Sequence, residues 1–273
     1  MNNISFFCLT LDPLHEEKIK KLSYIPVGLG KNDFSKNTLQ DKDGENISKK
    51  NPFYGEYTFH YWVWKNYLEN IKTDWVGFCQ YRKFFVKENL ESKEFTFEEL
   101  NQAIIKNVES SYLNYDVILG KKFFVDNYKI SKIFKNHLSK FLLNPSLFFL
   151  KKKRNLKLHF ELFHGKKNLQ LAINLLDEEN KENFKNFMNN EISFNPHNMF
   201  ICKKKILRGY YEAVFPWLEK CETVFGFNNL ESYGLKRIYG FLAERFLSYW
   251  FQKNYRVKEL PIIVKSLSDY KNL

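Results

Sequence analysis

The sequence alternates short apolar runs with longer segments of helical spacing, and this alternation constrains the fold more than any other feature. Five short runs predict buried strands. They are Ile4–Leu9, Tyr24–Val27, Trp75–Cys79, Val117–Leu119 and Met199–Cys202. Five longer segments predict helices. They are Phe53–Leu68, Phe97–Lys106, Leu156–Leu176, Ile206–Phe225 and Leu235–Lys253. The alternation favours an α/β fold with a largely parallel central sheet. Ligands of such sheets bind beyond the carboxyl ends of the strands.

Length and composition predict one large domain over residues 1–273, since 273 residues with 44% hydrophobic content can build a sizeable core. The sequence contains no Gly-x-Gly-x-x-Gly, no Walker loop, no His-Glu-x-x-His and no Gly-x-Ser-x-Gly. These absences argue against dinucleotide oxidoreductases, P-loop enzymes, zincins and α/β-hydrolases. Four dispersed cysteines and the absence of a long apolar stretch favour a cytoplasmic protein.

Positive charge is concentrated in one segment. The chain carries a net charge of +12, and residues 121–160 contain eleven Lys or Arg against one acid, Asp126. Apolar residues recur there at helical spacing, so we expect a basic amphipathic insertion within the domain. It can lie on an anionic membrane, or its apolar face can pack against its own domain. The same concentration argues against a nucleic-acid module, which places its charge within a recognisable fold signature.

The run from Asp41 to Asn46 contains Asp41-x-Asp43 followed by Gly44. Oxygen ligands at alternate positions suit Ca²⁺ or Mg²⁺. Asp, Gly and Asn are also ordinary turn formers, and we favour a solvated turn. The sequence therefore requires no metal or other cofactor, and Asp41 and Asp43 are the carboxylates available to a divalent cation.

Two segments carry candidate residues for binding a nucleoside diphosphate. The first starts a predicted helix at Asn51 and continues through Tyr54, Gly55 and Glu56; a helix start next to lysines suits a phosphate. In the second, the strand at 75–79 leads directly into Gln80-Tyr81-Arg82-Lys83. Many nucleotide-sugar transferases carry a metal-binding Asp-x-Asp at this strand end. Arg82 and Lys83 can neutralise a leaving diphosphate without a metal, although a surface hairpin with stray basic residues is the alternative.

A candidate general base lies near the C-terminus. Arg237, Gly240 and Glu244 have the spacing of one helical face, and Arg245 follows. A Glu on a rigid helix can take the proton of an attacking hydroxyl. We assign this role to Glu244, with Asp116 as the substitute. An ion pair formed by Arg245 is the structural alternative.

Several motifs together resemble a bacterial capsular-polysaccharide and lipopolysaccharide glycosyltransferase-like family, the domain of unknown function 4422. They occur in the family's order along nearly the whole chain. They are residues 46–48, 51–56, 61–66, 77–85, Tyr115–Leu119, Asn198–Ile201 and Arg237–Arg245. The family usually has His at the position of Gln80, and this sequence lacks an acidic residue after His164, where Asn168 stands.

The resemblance implies a GT-A-like sheet flanked by helices and a transferase that moves a sugar, galactofuranose in some members, from a UDP-sugar to a surface glycan. Glu56, His164, Asn198, Arg237 and Arg245 are then candidates for contacts with the sugar or the acceptor. The expected partners are a nucleotide-sugar donor and a lipid-linked or polysaccharide acceptor, at the inner face of the cytoplasmic membrane. The competing hypothesis is a non-catalytic protein that binds membranes or polyanions through residues 121–160.

Overall fold

The computed structural model describes residues 3–89, 94–126, 154–228 and 230–270. The chain divides into two compact units. Unit 1 comprises residues 1–121, 197–213 and 251–273, and unit 2 comprises residues 122–196 and 214–250. The basic segment at 121–160 lies mostly outside the described residues, so the amphipathic insertion and the single-domain organisation stay predictions.

Ten α-helices are present in the described ranges. They are α1 Glu16–Lys21, α2 Asn51–Tyr54, α3 Tyr57–Trp62, α4 Phe97–Ala103, α5 Leu156–His164, α6 Asn168–Asn174, α7 Glu178–Asn190, α8 Lys204–Phe225, α9 Tyr233–Lys236 and α10 Ile238–Asn254. Three predicted helices are interrupted. The helix expected at 235–253 breaks at Arg237, between α9 and α10. The helix expected at 53–68 breaks at Gly55, which has φ +60°, and that expected at 156–176 breaks at Gly165, which has φ +93°. Both φ values lie in the region that glycine adopts readily.

Eleven strands lie in the same ranges. They are β1 Ile4–Thr10, β2 Ile25–Gly28, β3 Leu39–Gln40, β4 Trp75–Gln80, β5 Lys83–Phe85, β6 Val117–Gly120, β7 Phe123–Phe124, β8 Ser193–Phe194, β9 Phe200–Lys203, β10 Val257–Leu260 and β11 Ile262–Val264. Within unit 1 the main sheet has the order β10-β6-β9-β4-β1-β2-β3, and β5 pairs with β4 and β11. Unit 2 contains the β7–β8 pair.

The main sheet confirms the predicted α/β fold with a mostly parallel sheet. β1 pairs in parallel with β2 and β4, as do β2 with β3 and β6 with β10. The short β5 runs antiparallel to β4 and to β11, and β9 runs antiparallel to both β4 and β6. The residues that precede β9 therefore lie at the same edge as the residues that follow β1 and β4. We call this the carboxyl edge and the opposite one the amino edge.

Alternation along the strands sends side chains of unit 1 to two apolar faces of the sheet. Phe6 and Cys79 belong to a core on one face that also contains Leu100 of α4. On the other face Phe78 packs against Phe7 at 5.5 Å between ring centroids and against His60 of α3 at 4.4 Å. Gln80, two residues after Phe78, belongs to the face that α3 covers.

Unit 2 has its own aromatic core. The ring of Phe184 on α7 lies 5.8 Å from Trp217, 5.6 Å from Phe246 and 5.3 Å from Tyr249. The indole of Trp217 donates a hydrogen bond to the carbonyl of Ala172 at 2.7 Å. No helix in the described part of the chain combines the length and apolarity needed to cross a membrane.

Candidate functional site

A network of polar side chains lies at the carboxyl edge of unit 1, centred on Glu56. Glu56 Oε1 accepts a hydrogen bond from Gln80 Nε2 at 2.9 Å and another from Asn198 Nδ2 at 3.2 Å. Gln80 Nε2 also donates to the carbonyl oxygen of His197 at 3.1 Å. The two amide groups fix the orientation of the carboxylate at this edge.

A basic side chain adjoins this network. Lys83 Nζ donates a hydrogen bond to His197 Nδ1 at 2.9 Å. An ammonium has only donors, so Nδ1 of His197 is the acceptor and the proton of the neutral ring is on Nε2. The carboxyl edge thus brings together four residues proposed from the sequence: Glu56, Gln80, Lys83 and Asn198.

His197 is the member of this network that sequence reasoning missed. His197 has φ +84° and Asn198 has φ +54°, so two consecutive non-glycine residues adopt left-handed conformations. Such strain is typical of functional sites, and here it accompanies the contacts of the His197 carbonyl and the Asn198 amide. In a parallel sheet the ligand-binding residues are expected to follow the strands. His197 instead precedes β9, which reaches the same edge because it is antiparallel.

The break between α2 and α3 positions Glu56. Asn51 is the first residue of α2, and its Nδ2 donates to the carbonyl of Gly55 at 3.0 Å and to Thr58 Oγ1 at 3.1 Å. The side chain of Asn51 therefore braces the break instead of capping the start of the helix. Tyr54 is buried beside this break.

The turn between β4 and β5 holds Tyr81 and Arg82. The ring of Tyr81 stacks on His15 with 4.7 Å between centroids. Arg82 is exposed, and its guanidinium lies 5.8 Å from the Tyr81 ring. Lys83, the first residue of β5, is half-buried, so the two cations of this hairpin differ in their surroundings.

The aspartates at 41 and 43 lie in a turn against α3. Asp41 follows β3 and is buried, which raises its pKa to about 6. The carbonyl of Asp43 accepts a hydrogen bond from the Trp62 indole at 2.7 Å, while its side chain is exposed. Across the described residues, no three His, Cys, Asp or Glu side chains converge as a metal-binding group.

Asp116 lies at the other end of the sheet. It precedes β6, at the amino edge, where its carboxylate accepts from Lys203 Nζ at 2.6 Å and from Arg256 Nε at 3.3 Å. These hydrogen bonds lower the pKa of Asp116 against the opposing effect of its burial. Asp116 is therefore not part of the Glu56 network.

The remaining candidates belong to unit 2. Arg245 Nη1 donates to Glu244 Oε2 at 2.5 Å, and both residues are buried. The guanidinium carbon also lies 3.5 Å from the centroid of the Phe194 ring, in cation–π contact. The ion pair considered as the alternative for Arg245 is thus present, and it involves Glu244 itself.

Two histidines of α5, His159 and His164, lie near the guanidinium of Arg245. Arg245 Nη2 lies 3.3 Å from His159 Nδ1. Burial, reinforced by the positive charge of Arg245, lowers the pKa of His159 to about 2 and that of His164 to about 3. His164 stacks on Phe241 at 4.1 Å, whereas Arg237 is half-buried and contacts the ring of Tyr233 at 5.8 Å.

Comparison with solved structures places the fold beside that of a glycosyltransferase. The WbbM bifunctional glycosyltransferase, solved in its apo form, superposes with a TM-score of 0.62 and 23% sequence identity over 97% of this chain. The present chain spans 46% of the length of that structure, less than half. A search of curated proteins found no significant match.

The family resemblance is confirmed over most of the chain. The model of the family described as "Domain of unknown function (DUF4422)" matches residues 14–255. The match includes the Glu56 network of unit 1 and the Glu244–Arg245 pair of unit 2. The chain therefore belongs to the DUF4422 family.

Proposed function

We propose that this protein is a glycosyltransferase that uses a nucleoside-diphosphate sugar, with its donor site at the carboxyl edge of unit 1. The observation that carries the proposal is the Glu56 carboxylate, held by Gln80 and Asn198 at the edge where α/β sheets bind ligands. The similarity of the fold to a glycosyltransferase supports the same conclusion.

In the proposed reaction an acceptor hydroxyl attacks the anomeric carbon of the donor. The bond between that carbon and the diphosphate oxygen breaks, and its electron pair leaves with the nucleoside diphosphate. The hydroxyl proton passes to the Glu56 carboxylate. We assign this role to Glu56 because it lies at the carboxyl edge. Asp116 lies at the amino edge in an ion pair with Lys203, and Glu244 forms a buried ion pair with Arg245 in unit 2.

The departing diphosphate requires positive charge. Lys83, adjacent to the Glu56 network through His197, supplies it in our proposal, and Arg82 contributes from the turn. Neither role requires a divalent cation. We propose UDP as the nucleotide, galactofuranose as a candidate sugar and a capsular or lipopolysaccharide glycan as the acceptor, all of which rest on the family resemblance.

A thermal-shift panel of UDP-, GDP- and CMP-sugars tests this proposal, because a ligand that binds only the folded state raises Tm. We expect UDP conjugates to raise Tm in the wild type and to do so less in Lys83→Gln. Lys20→Gln removes one exposed charge from α1 and serves as the matched control. A panel in which no nucleotide sugar shifts Tm would contradict the proposal.

Peripheral contact with an anionic membrane through residues 121–160 is the second part of the proposal, supported by the charge of that segment. A variant lacking residues 129–154 is expected to lose flotation with vesicles that contain phosphatidylglycerol. Unchanged flotation would remove membrane contact from the proposal and leave the transferase unaffected.

A further inference from the structure

A cavity of about 590 Å³ opens at the amino edge of unit 1, where β4 begins and β9 ends. Its lining residues are Leu68, Glu69, Asp74, Trp75, Lys203, Lys204, Lys205 and Arg208. β4 runs from Trp75 to Gln80, so about 17 Å of strand separates this cavity from the Glu56 network. The cavity is thus separate from the proposed donor site.

The lining of the cavity carries four cationic side chains and two acids. Lys203 pairs with Asp116 at 2.6 Å, and Arg208 Nη2 lies 2.5 Å from Glu69 Oε1. Lys204 Nζ donates to the carbonyl of Ile71 at 2.7 Å and forms no ion pair with a described carboxylate. Together with Asp116, the lining acids Glu69 and Asp74 provide three carboxylates against four cations. Lys205 is exposed and forms no ion pair with any described residue. The cavity therefore retains an excess of positive charge.

The cations lie at the amino end of a helix, which makes the electrostatic potential in the cavity more positive. α8 begins at Lys204 and has no acidic residue in its first turn. The amino end of a helix carries partial positive charge, which repels cations and attracts anions. Lys204, Lys205 and Arg208 all lie within the first five residues of this helix. An anion bound among them would relieve their mutual repulsion.

The cavity also has an apolar wall. Leu68 and Trp75 line it, and Lys203 Nζ lies 5.8 Å from the centroid of the Trp75 ring. Its volume falls in the range of small-molecule sites, which is about 300–1,000 Å³, and exceeds what an inorganic anion fills. Cations beside an apolar wall suit an anionic group attached to an organic body.

We propose that this amino-edge cavity binds a phosphate-bearing organic ligand. Lys205 contacts the phosphate, and Arg208 joins it from its exposed ion pair with Glu69. The organic part lies against the edges of Trp75 and Leu68 that line the cavity, although both side chains are largely buried. A lipid headgroup and a soluble phosphate ester both present this chemistry. The inference is independent of glycosyl transfer, because no residue of the cavity belongs to the Glu56 network.

Calorimetric titration with inorganic pyrophosphate tests the site in the full-length protein. The test variant is Lys205→Gln/Arg208→Gln, which removes two exposed charges. Lys20→Gln/Lys21→Gln removes two exposed charges from α1 of the same unit and is the matched control. We expect about tenfold weaker binding at the cavity in the test variant, as for the loss of charge-assisted contacts, and unchanged binding in the control.

Lys83→Gln separates this inference from the proposed function, because it alters the donor site alone. Binding lost in Lys205→Gln/Arg208→Gln but retained in Lys83→Gln supports the cavity, even if no donor site exists. Flotation with phosphatidylglycerol vesicles then identifies the source: loss in the test variant indicates a headgroup, and no change indicates a soluble ester. Pyrophosphate affinity equal in wild type and Lys205→Gln/Arg208→Gln, or no binding at all, would overturn the inference.

Discussion

Two glutamates of this protein occupy contrasting environments. Glu56 in unit 1 accepts hydrogen bonds from the neutral amides of Gln80 and Asn198, whereas Glu244 in unit 2 pairs with the buried guanidinium of Arg245. The amides of Gln80 and Asn198 orient the Glu56 carboxylate at the edge of the sheet where we propose that the donor binds. The guanidinium neutralises a carboxylate and commits it to the stability of its surroundings. The partner's charge, more than the glutamate itself, distinguishes the two roles.

The largest expected effect concerns the buried pair. Glu244→Gln leaves Arg245 buried without its counter-charge, so the free energy of unfolding should fall by about 3 kcal/mol. Urea denaturation measures this change. The exposed Glu231→Gln in the same unit should stay within about 0.5 kcal/mol of wild type. A Glu244→Gln variant as stable as wild type but inactive would reverse the comparison and restore Glu244 as the base.

Glu56→Gln should reduce activity strongly and change stability little, in contrast to Glu244→Gln. The amide keeps an oxygen that can accept from Gln80 but cannot take a proton, so transfer should slow by about a hundredfold or more. The free energy of unfolding should change by less than about 1 kcal/mol. Release of nucleoside diphosphate from the donor gives the rate. Full activity in Glu56→Gln would exclude it as the proton acceptor.

The buried histidines beside Arg245 predict acid sensitivity. Burial, with a contribution from Arg245, lowers the pKa of His159 from 6.5 to about 2. Between these values the unfolded chain binds a proton that the folded chain does not, so stability is complete above pH 6.5 and falls as the pH decreases. The loss is about 1.4 kcal/mol per pH unit for each such histidine.

His159→Gln should remove one such contribution from the slope of unfolding free energy against pH. Urea denaturation at several pH values between about 5 and about 7 measures the slope. Lys236→Gln, at an exposed position in the same unit, should leave the slope unchanged. Identical slopes in His159→Gln and wild type would show that His159 is protonated in the fold.

The smallest expected effects concern nucleotide binding by the two cations of the β4–β5 hairpin, Arg82 and Lys83. Lys83 adjoins the Glu56 network and Arg82 is exposed, so Lys83→Gln should weaken UDP binding about tenfold and Arg82→Gln about threefold or less. Calorimetry with UDP measures both affinities. A larger loss of UDP affinity in Arg82→Gln than in Lys83→Gln would show that the diphosphate binds nearer to the turn than we propose.

Five of the eleven described strands were predictable because their signal, a short apolar run, is local. Each of the five predicted runs coincides with a strand to within one residue at either end. The interruptions at Gly55 and Gly165 were not predicted. Apolar spacing continues across both positions, and a positive φ is a property of the folded backbone that glycine permits but does not require.

The sequence by itself determined the α/β class, because apolar periodicity is a local signal. It also supplied four of the polar residues at the carboxyl edge as candidates, namely Glu56, Gln80, Lys83 and Asn198. Only the tertiary structure decided that β9 runs antiparallel and brings His197 to that edge. It also decided that Glu244 pairs with Arg245. Glu56 meets Asn198 from 142 residues away and Arg245 meets His159 from 86 residues away, and contacts of such long separation depend on how distant segments pack.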